Sequence, residues 1–122
     1  MSDNMSEERR KSPRLEVLGR IRGELVPLAV PITLLELSQG GFSMQTTSDF
    51  PVGAIHAFRF TSSNRPAIVL HARIVHILRT SGGGGAVSYV IGLEFADRSR
   101  PDVEQAIKTL VSILRPVPLS SG

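Results

Sequence analysis

A chain of 122 residues with 41% hydrophobic and 20% charged side chains has the size of one globular domain, with room for one core and not two. Fourteen basic against eleven acidic residues leave a net charge of +3, and twelve of the basic residues are arginine, whose rigid, always charged fork suits bidentate recognition of phosphate or a guanine edge. The absence of cysteine excludes disulfides, thiolate metal sites and a thiol nucleophile. The opening MSDNMSEERRKSP lacks the apolar stretch of a signal peptide, and no later run approaches the ~18 apolar residues of a membrane span. The expectation is a soluble, cytoplasmic protein.

Residues 1–12 are polar, charged and without periodicity, a segment expected to be mobile until a ligand orders it. From Val17 a period of two sets in, with Val17, Ile21 and Leu25 on one side and Arg20, Arg22 and Glu24 on the other, which predicts a half-buried strand. PITLLEL predicts a second strand ending at Ser38, and QGG a turn in which glycine makes positive φ cheap. GFSMQTT, AIHAFRF, AIVLHARIVHIL and VSYVIGLEFAD predict four more strands, the last two joined by SGGGG, read as a flexible hairpin tip. In SRPDVEQAIKTLVSILRP the apolar Val103, Ile107, Leu110, Val111 and Leu114 recur at helical spacing, Ser99 and Asp102 can form a capping box, and Pro116 stops the helix after Arg115. Six short strands followed by one amphipathic helix predict an all-β fold with one C-terminal helix, a small six-stranded antiparallel barrel covered by that helix. The domain is expected over residues 9–116, between flexible tails at 1–8 and 117–122.

Enzyme chemistry finds no support. His71 and His76 are five apart on one predicted strand and so should face opposite ways, which disfavours a metal site with His56. No serine stands in a Gly-x-Ser-x-Gly elbow, and the run Gly82 to Gly85 lacks the Lys-Ser/Thr and the following helix of a phosphate loop. Neither catalytic residues nor metal ligands are assigned. Phe58, Phe60, Tyr89 and Phe95 read as core or barrel-lining residues, so the exposed aromatics of a single-strand nucleic-acid binder are missing and no specific nucleic-acid partner is expected.

Two stretches carry a chemical pattern. In RRKSPR, Arg10 and Arg14 are separated by three residues, Pro13 among them, with Arg9 beside them. In ELSQGG, Glu36 and Ser38 share one side of a strand end, followed by Gly40 and Gly41. Guanidinium forks that reach O6, N7 and phosphate, with a carboxylate that accepts from N1 and N2, form a set a guanine nucleotide can use. As a merely solvated charge run and an ordinary strand end, the same residues need no ligand.

In order and spacing these stretches resemble the PilZ domain family, whose signature is Arg-x-x-x-Arg followed by Asp/Asn-x-Ser-x-x-Gly. HARIVHIL is similar to that family's long penultimate strand and YVIGLEF to its closing one. The resemblance implies a six-stranded barrel that receives the bacterial second messenger cyclic di-GMP as ligand, with no other cofactor. It implies that Arg10 and Arg14 grip guanine and phosphate, that Arg9 influences ligand stoichiometry, and that Ser38, Gly40 and Gly41 line the turn against the ligand. Glu36 stands where the family has Asp or Asn; it keeps the charge and adds one rotor, at about 0.5–1.5 kcal/mol on binding. Ordering of the tail would signal to an unidentified protein partner. A degenerate barrel that binds protein and no nucleotide is the alternative.

Overall fold

The computed structural model describes residues 15–17, 19–27 and 30–114. Arg9, Arg10, Arg14, Arg115, Pro116 and the expected tails at 1–8 and 117–122 lie outside the described residues. Seven strands and one α-helix are formed in the described residues: β1 (Leu15–Glu16), β2 (Arg22–Val26), β3 (Val30–Leu37), β4 (Gly41–Thr46), β5 (Ile55–Thr61), β6 (Ile68–Ser81), β7 (Val87–Phe95) and α1 (Pro101–Leu114).

All pairings are antiparallel, and β3, β2, β5, β6, β7 and β4 follow one another in that order until β4 returns to β3. The sheet is therefore a closed six-stranded barrel without a free edge in the ring. The two-residue β1 adds to it outside the ring, pairing Leu15 with Leu37 and Glu16 with Glu36 of β3.

Alternation explains why these segments close. Phe42 and Met44 of β4, Phe58 and Phe60 of β5, Leu70, Ala72 and Ile74 of β6, and Ile91, Leu93 and Phe95 of β7 all point inward and are buried. Phe42 meets Phe58 and Phe60 edge to face, with centroids 5.2 and 5.3 Å apart, so two strands are locked through one ring. Along α1, Ile107, Leu110, Val111 and Leu114 are buried in the same cluster, and the helix packs against β6 and β1. No helix among the described residues is long and apolar enough to cross a membrane.

Three local expectations are corrected. Val17, Ile21 and Leu25 are all buried, yet they do not share a strand, because the chain turns at Gly19 (φ 79°) and Arg20 N–H donates to Val17 O at 3.0 Å. A spacing of four satisfies a turn as well as a strand. The helix starts with Pro101 at its first position, where a missing N–H costs nothing. Ser99 thus lies one residue too early for the capping box, and Asp102 pairs with Arg100 at 2.9 Å instead. SGGGG is a tight loop closed by Gly82 N–H donating to Ala86 O at 2.8 Å, with Gly84 and Gly85 at positive φ, and the ladder below it runs to the Ser81–Val87 pair.

At one end of the core His56 lies half-buried between Phe50 and Phe58, with ring centroids 5.3 and 6.4 Å away. Its Nε2 is buried and has no hydrogen-bond partner among the described residues. An unsatisfied buried polar atom costs about 1–3 kcal/mol, so His56→Phe, which keeps the edge-on ring contacts and removes the orphan, is expected to raise stability by roughly 1 kcal/mol in urea unfolding.

Candidate functional site

The outer face of β3, β4, β7 and β6 carries one continuous row. Glu36 is paired with Ser43, Ser43 with Gly92, and Gly92 with His76, so the four residues stand side by side across four strands. Two β-bulges make this row. On β3 the register shifts between Leu34 and Glu36, turning Glu36 outward while Leu34 and Leu37 both stay buried. On β6 it shifts between Ile74 and His76, leaving Val75 and His76 both exposed on the outer side. His71 and His76 consequently lie on the same outer face, contrary to the alternation expected of an unbroken strand. Among the described residues no three His, Asp or Glu side chains gather as a metal site.

Small residues at the centre of the row and larger ones at its ends form a cleft of about 250 Å³, lined by Glu36, Ser38, Gly40, Gly41, Ser43, Val75, His76, Gly92 and Glu94 among others. Pockets that enclose a whole drug-sized ligand run to ~300–1,000 Å³, so this cleft takes a part of one, such as a base. The His76 ring occupies the place of a side chain at Gly92: a Cβ there would lie 2.1 Å from Cε1 and 2.5 Å from Nε2. At the rim Arg73 and Glu94 face each other at 3.4 Å, between the cleft and a more open depression that contains His71, Arg98 and Arg100.

The turn from β3 to β4 forms one end of the cleft. Ser38 N–H donates to Gly41 O at 2.9 Å, Gly40 N–H donates to Ser38 Oγ at 3.2 Å, and Ser38 Oγ–H donates to Gly41 O at 3.4 Å. Phe95 N–H donates to Gly40 O at 3.0 Å, fastening the turn to the end of β7. Neither Gly40 nor Gly41 has positive φ, so the expected conformational reason fails for both, and at Gly41 a steric one takes its place. A Cβ at Gly41 would stand 1.9 Å from Leu93 O and 2.8 Å from Glu94 Cα, both backbone atoms. A Cβ at Gly40 would meet only Arg98 Nη1 at 3.5 Å and Ser38 Oγ at 3.9 Å.

The structure thus gathers Glu36, Ser38, Gly40 and Gly41 at one cleft, while Arg9, Arg10 and Arg14 fall outside the described residues. Sequence reasoning missed Ser43, His76, Gly92 and Arg98. The one local signal was Gly92, an isolated glycine in a strand, which marks a close approach.

The sequence profile of the PilZ domain matches residues 8–112, a span that holds both arginines and the whole turn. The chain belongs to the PilZ domain family. Among solved structures, the PilZ domain of YcgR from Escherichia coli with c-di-GMP is similar at 16% identity and a TM-score of 0.63, over 87% of this chain and 91% of that one. The K. pneumonia MrkH–c-di-GMP complex is similar at 13% identity and 0.64, over 84% of this chain and 51% of that one. The PlzA protein of Borreliella burgdorferi in complex with c-di-GMP is similar at 11% and 0.55, over 96% and 58%. This PilZ chain therefore spans about half the length of the latter two proteins. No curated protein matches it in sequence.

The two glycines of the turn separate by experiment. Gly41→Ala forces backbone apart between β4 and β7 and is expected to cost about 2–3 kcal/mol in chemical denaturation. Gly40→Ala makes ordinary contacts and is expected to stay within about 0.5 kcal/mol of the parent.

Proposed function

We propose that this PilZ chain is a receptor module for cyclic di-GMP in the bacterial cytoplasm, a binding protein and not an enzyme. Arg10 and Arg14 take the guanine Hoogsteen edges and the phosphates, Glu36 accepts from the N1 and N2 donors of a guanine, and Ser38, Gly40 and Gly41 offer the turn as a floor, with Arg9 adjusting how many ligands stack. The observation that carries this reading is the register of β1: Leu15 pairs with Leu37, between Glu36 and Ser38, so the chain enters the barrel at the cleft. The arginine motif ends one residue before that pair. Support also comes from the profile match across both motifs and from c-di-GMP in the three similar structures. Binding orders residues 9–14 over the cleft, and the new surface engages a protein partner.

Titration calorimetry with cyclic di-GMP, beside a short single-stranded oligonucleotide, tests the reading. Saturable binding of the first and weak, salt-sensitive binding of the second are expected. Silence toward both would favour the alternative of a protein-interaction module without nucleotide. Arg10→Ala or Arg14→Ala is expected to cost about 1.5–3 kcal/mol of binding without unfolding the barrel, and Lys to rescue poorly. Amide exchange at Arg9 to Arg14 should slow with ligand; unchanged exchange at saturation would remove the ordering step.

Glu36 gives a sharper check. Glu36→Asp should bind as well as the parent or up to about tenfold tighter, and Glu36→Ala should bind less well. Equal affinities in all three would put the carboxylate outside the recognition set.

A further inference from the structure

Building on the receptor reading, we infer that Arg98 is a further ligand contact, a phosphate-binding arginine that acts across Gly40. The place a Cβ would take on Gly40 is 3.5 Å from Arg98 Nη1 and 3.9 Å from Ser38 Oγ, so the guanidinium and the hydroxyl border one bare stretch of backbone, over which a ligand can rest. A phosphate oxygen is the group that suits this place, since the guanidinium donates to it and neutralises its charge, while the Ser38 hydroxyl stays bonded within the turn.

Arg98 is available for this role where its neighbours are not. Arg73 pairs with Glu94 at 3.4 Å and Arg100 with Asp102 at 2.9 Å, whereas Arg98 makes no ion pair among the described residues. Its backbone is also held in place. Asp97 stands at φ 60°, Arg100 N–H donates to Asp97 O at 3.0 Å, and two residues before Asp97 the Phe95 N–H is bonded to Gly40 O. The turn that carries Arg98 and the turn that carries Gly40 are therefore clamped to each other before any ligand arrives. Because α1 begins at Pro101, a phosphate held by Arg98 would tie the β3–β4 turn to the start of the helix.

Calorimetric titration of cyclic di-GMP into the wild type, Arg98→Ala, Arg98→Lys, Arg100→Ala and Gly40→Ala tests the assignment, each repeated at three salt concentrations. Arg98→Ala is expected to raise Kd by about 10- to 100-fold and to flatten the dependence of log Kd on log salt, with an unchanged melting temperature. Arg98→Lys should recover part of the loss, Arg100→Ala should bind like the wild type, and Gly40→Ala should weaken binding with Arg98 intact because its methyl fills the spot. Wild-type affinity and salt slope in Arg98→Ala, with wild type binding normally, would overturn this assignment and leave the receptor reading standing. Failure of the wild type itself to bind would overturn both.

Discussion

The barrel closes through the approach of β4 to β7, and that approach depends on the missing side chain at Gly41. β4 is the strand that pairs on both sides across the seam, with β3 through a short turn and with β7 at Gly41–Glu94. At the first residue of β4 the Leu93 carbonyl occupies space that a Cβ would need, 1.9 Å away. Any other residue would push β4 outward at the point where the ring is completed. Phe42, the next residue, would then lose its place against Phe58 and Phe60. Closure and core packing are thus coupled within two residues.

The outer cleft follows from the same closure and from two bulges. Once β4 sits between β3 and β7, the register aligns Ser43 with Gly92, two positions with little or no side chain. The bulges on β3 and β6 then set Glu36 and His76 on the two sides of that gap. Each bulge lets its strand keep inward hydrophobic residues on both sides of the irregularity while changing which neighbours face out. A regular barrel of the same strands would have turned Glu36 toward the core, where an ionised carboxylate is costly.

Much of the fold was legible in the sequence because alternation reports burial directly. Phe58 and Phe60, or Ile91, Leu93 and Phe95, are two apart and buried, and the helical spacing of Ile107, Leu110, Val111 and Leu114 marks one face. The irregular places were not legible. Val17, Ile21 and Leu25 fit a strand as well as they fit the observed turn, and Val75-His76 carries no mark of a bulge, since an apolar Val75 two before Ile77 reads as ordinary alternation. The site was legible only in part for the same reason. Glu36, Ser38, Gly40 and Gly41 are close in the chain, whereas Ser43, Gly92 and His76 come to the cleft through pairings between strands that no local pattern states, and Arg98 reaches Gly40 from the loop after β7.

The ELSQGG segment combines two physical roles that its compactness conceals. Ser38 and Gly41 build the turn, one by bonding its neighbours' backbone and the other by leaving room for β7. Glu36 and the bare face of Gly40 line the cleft, and the barrel stands without a ligand on them. A substitution at Gly41 that abolishes ligand binding therefore reports the displacement of a strand, whatever the glycine itself does for the ligand. Within this segment, the substitutions that spare closure, at Glu36 or Gly40, are the ones that read out recognition itself.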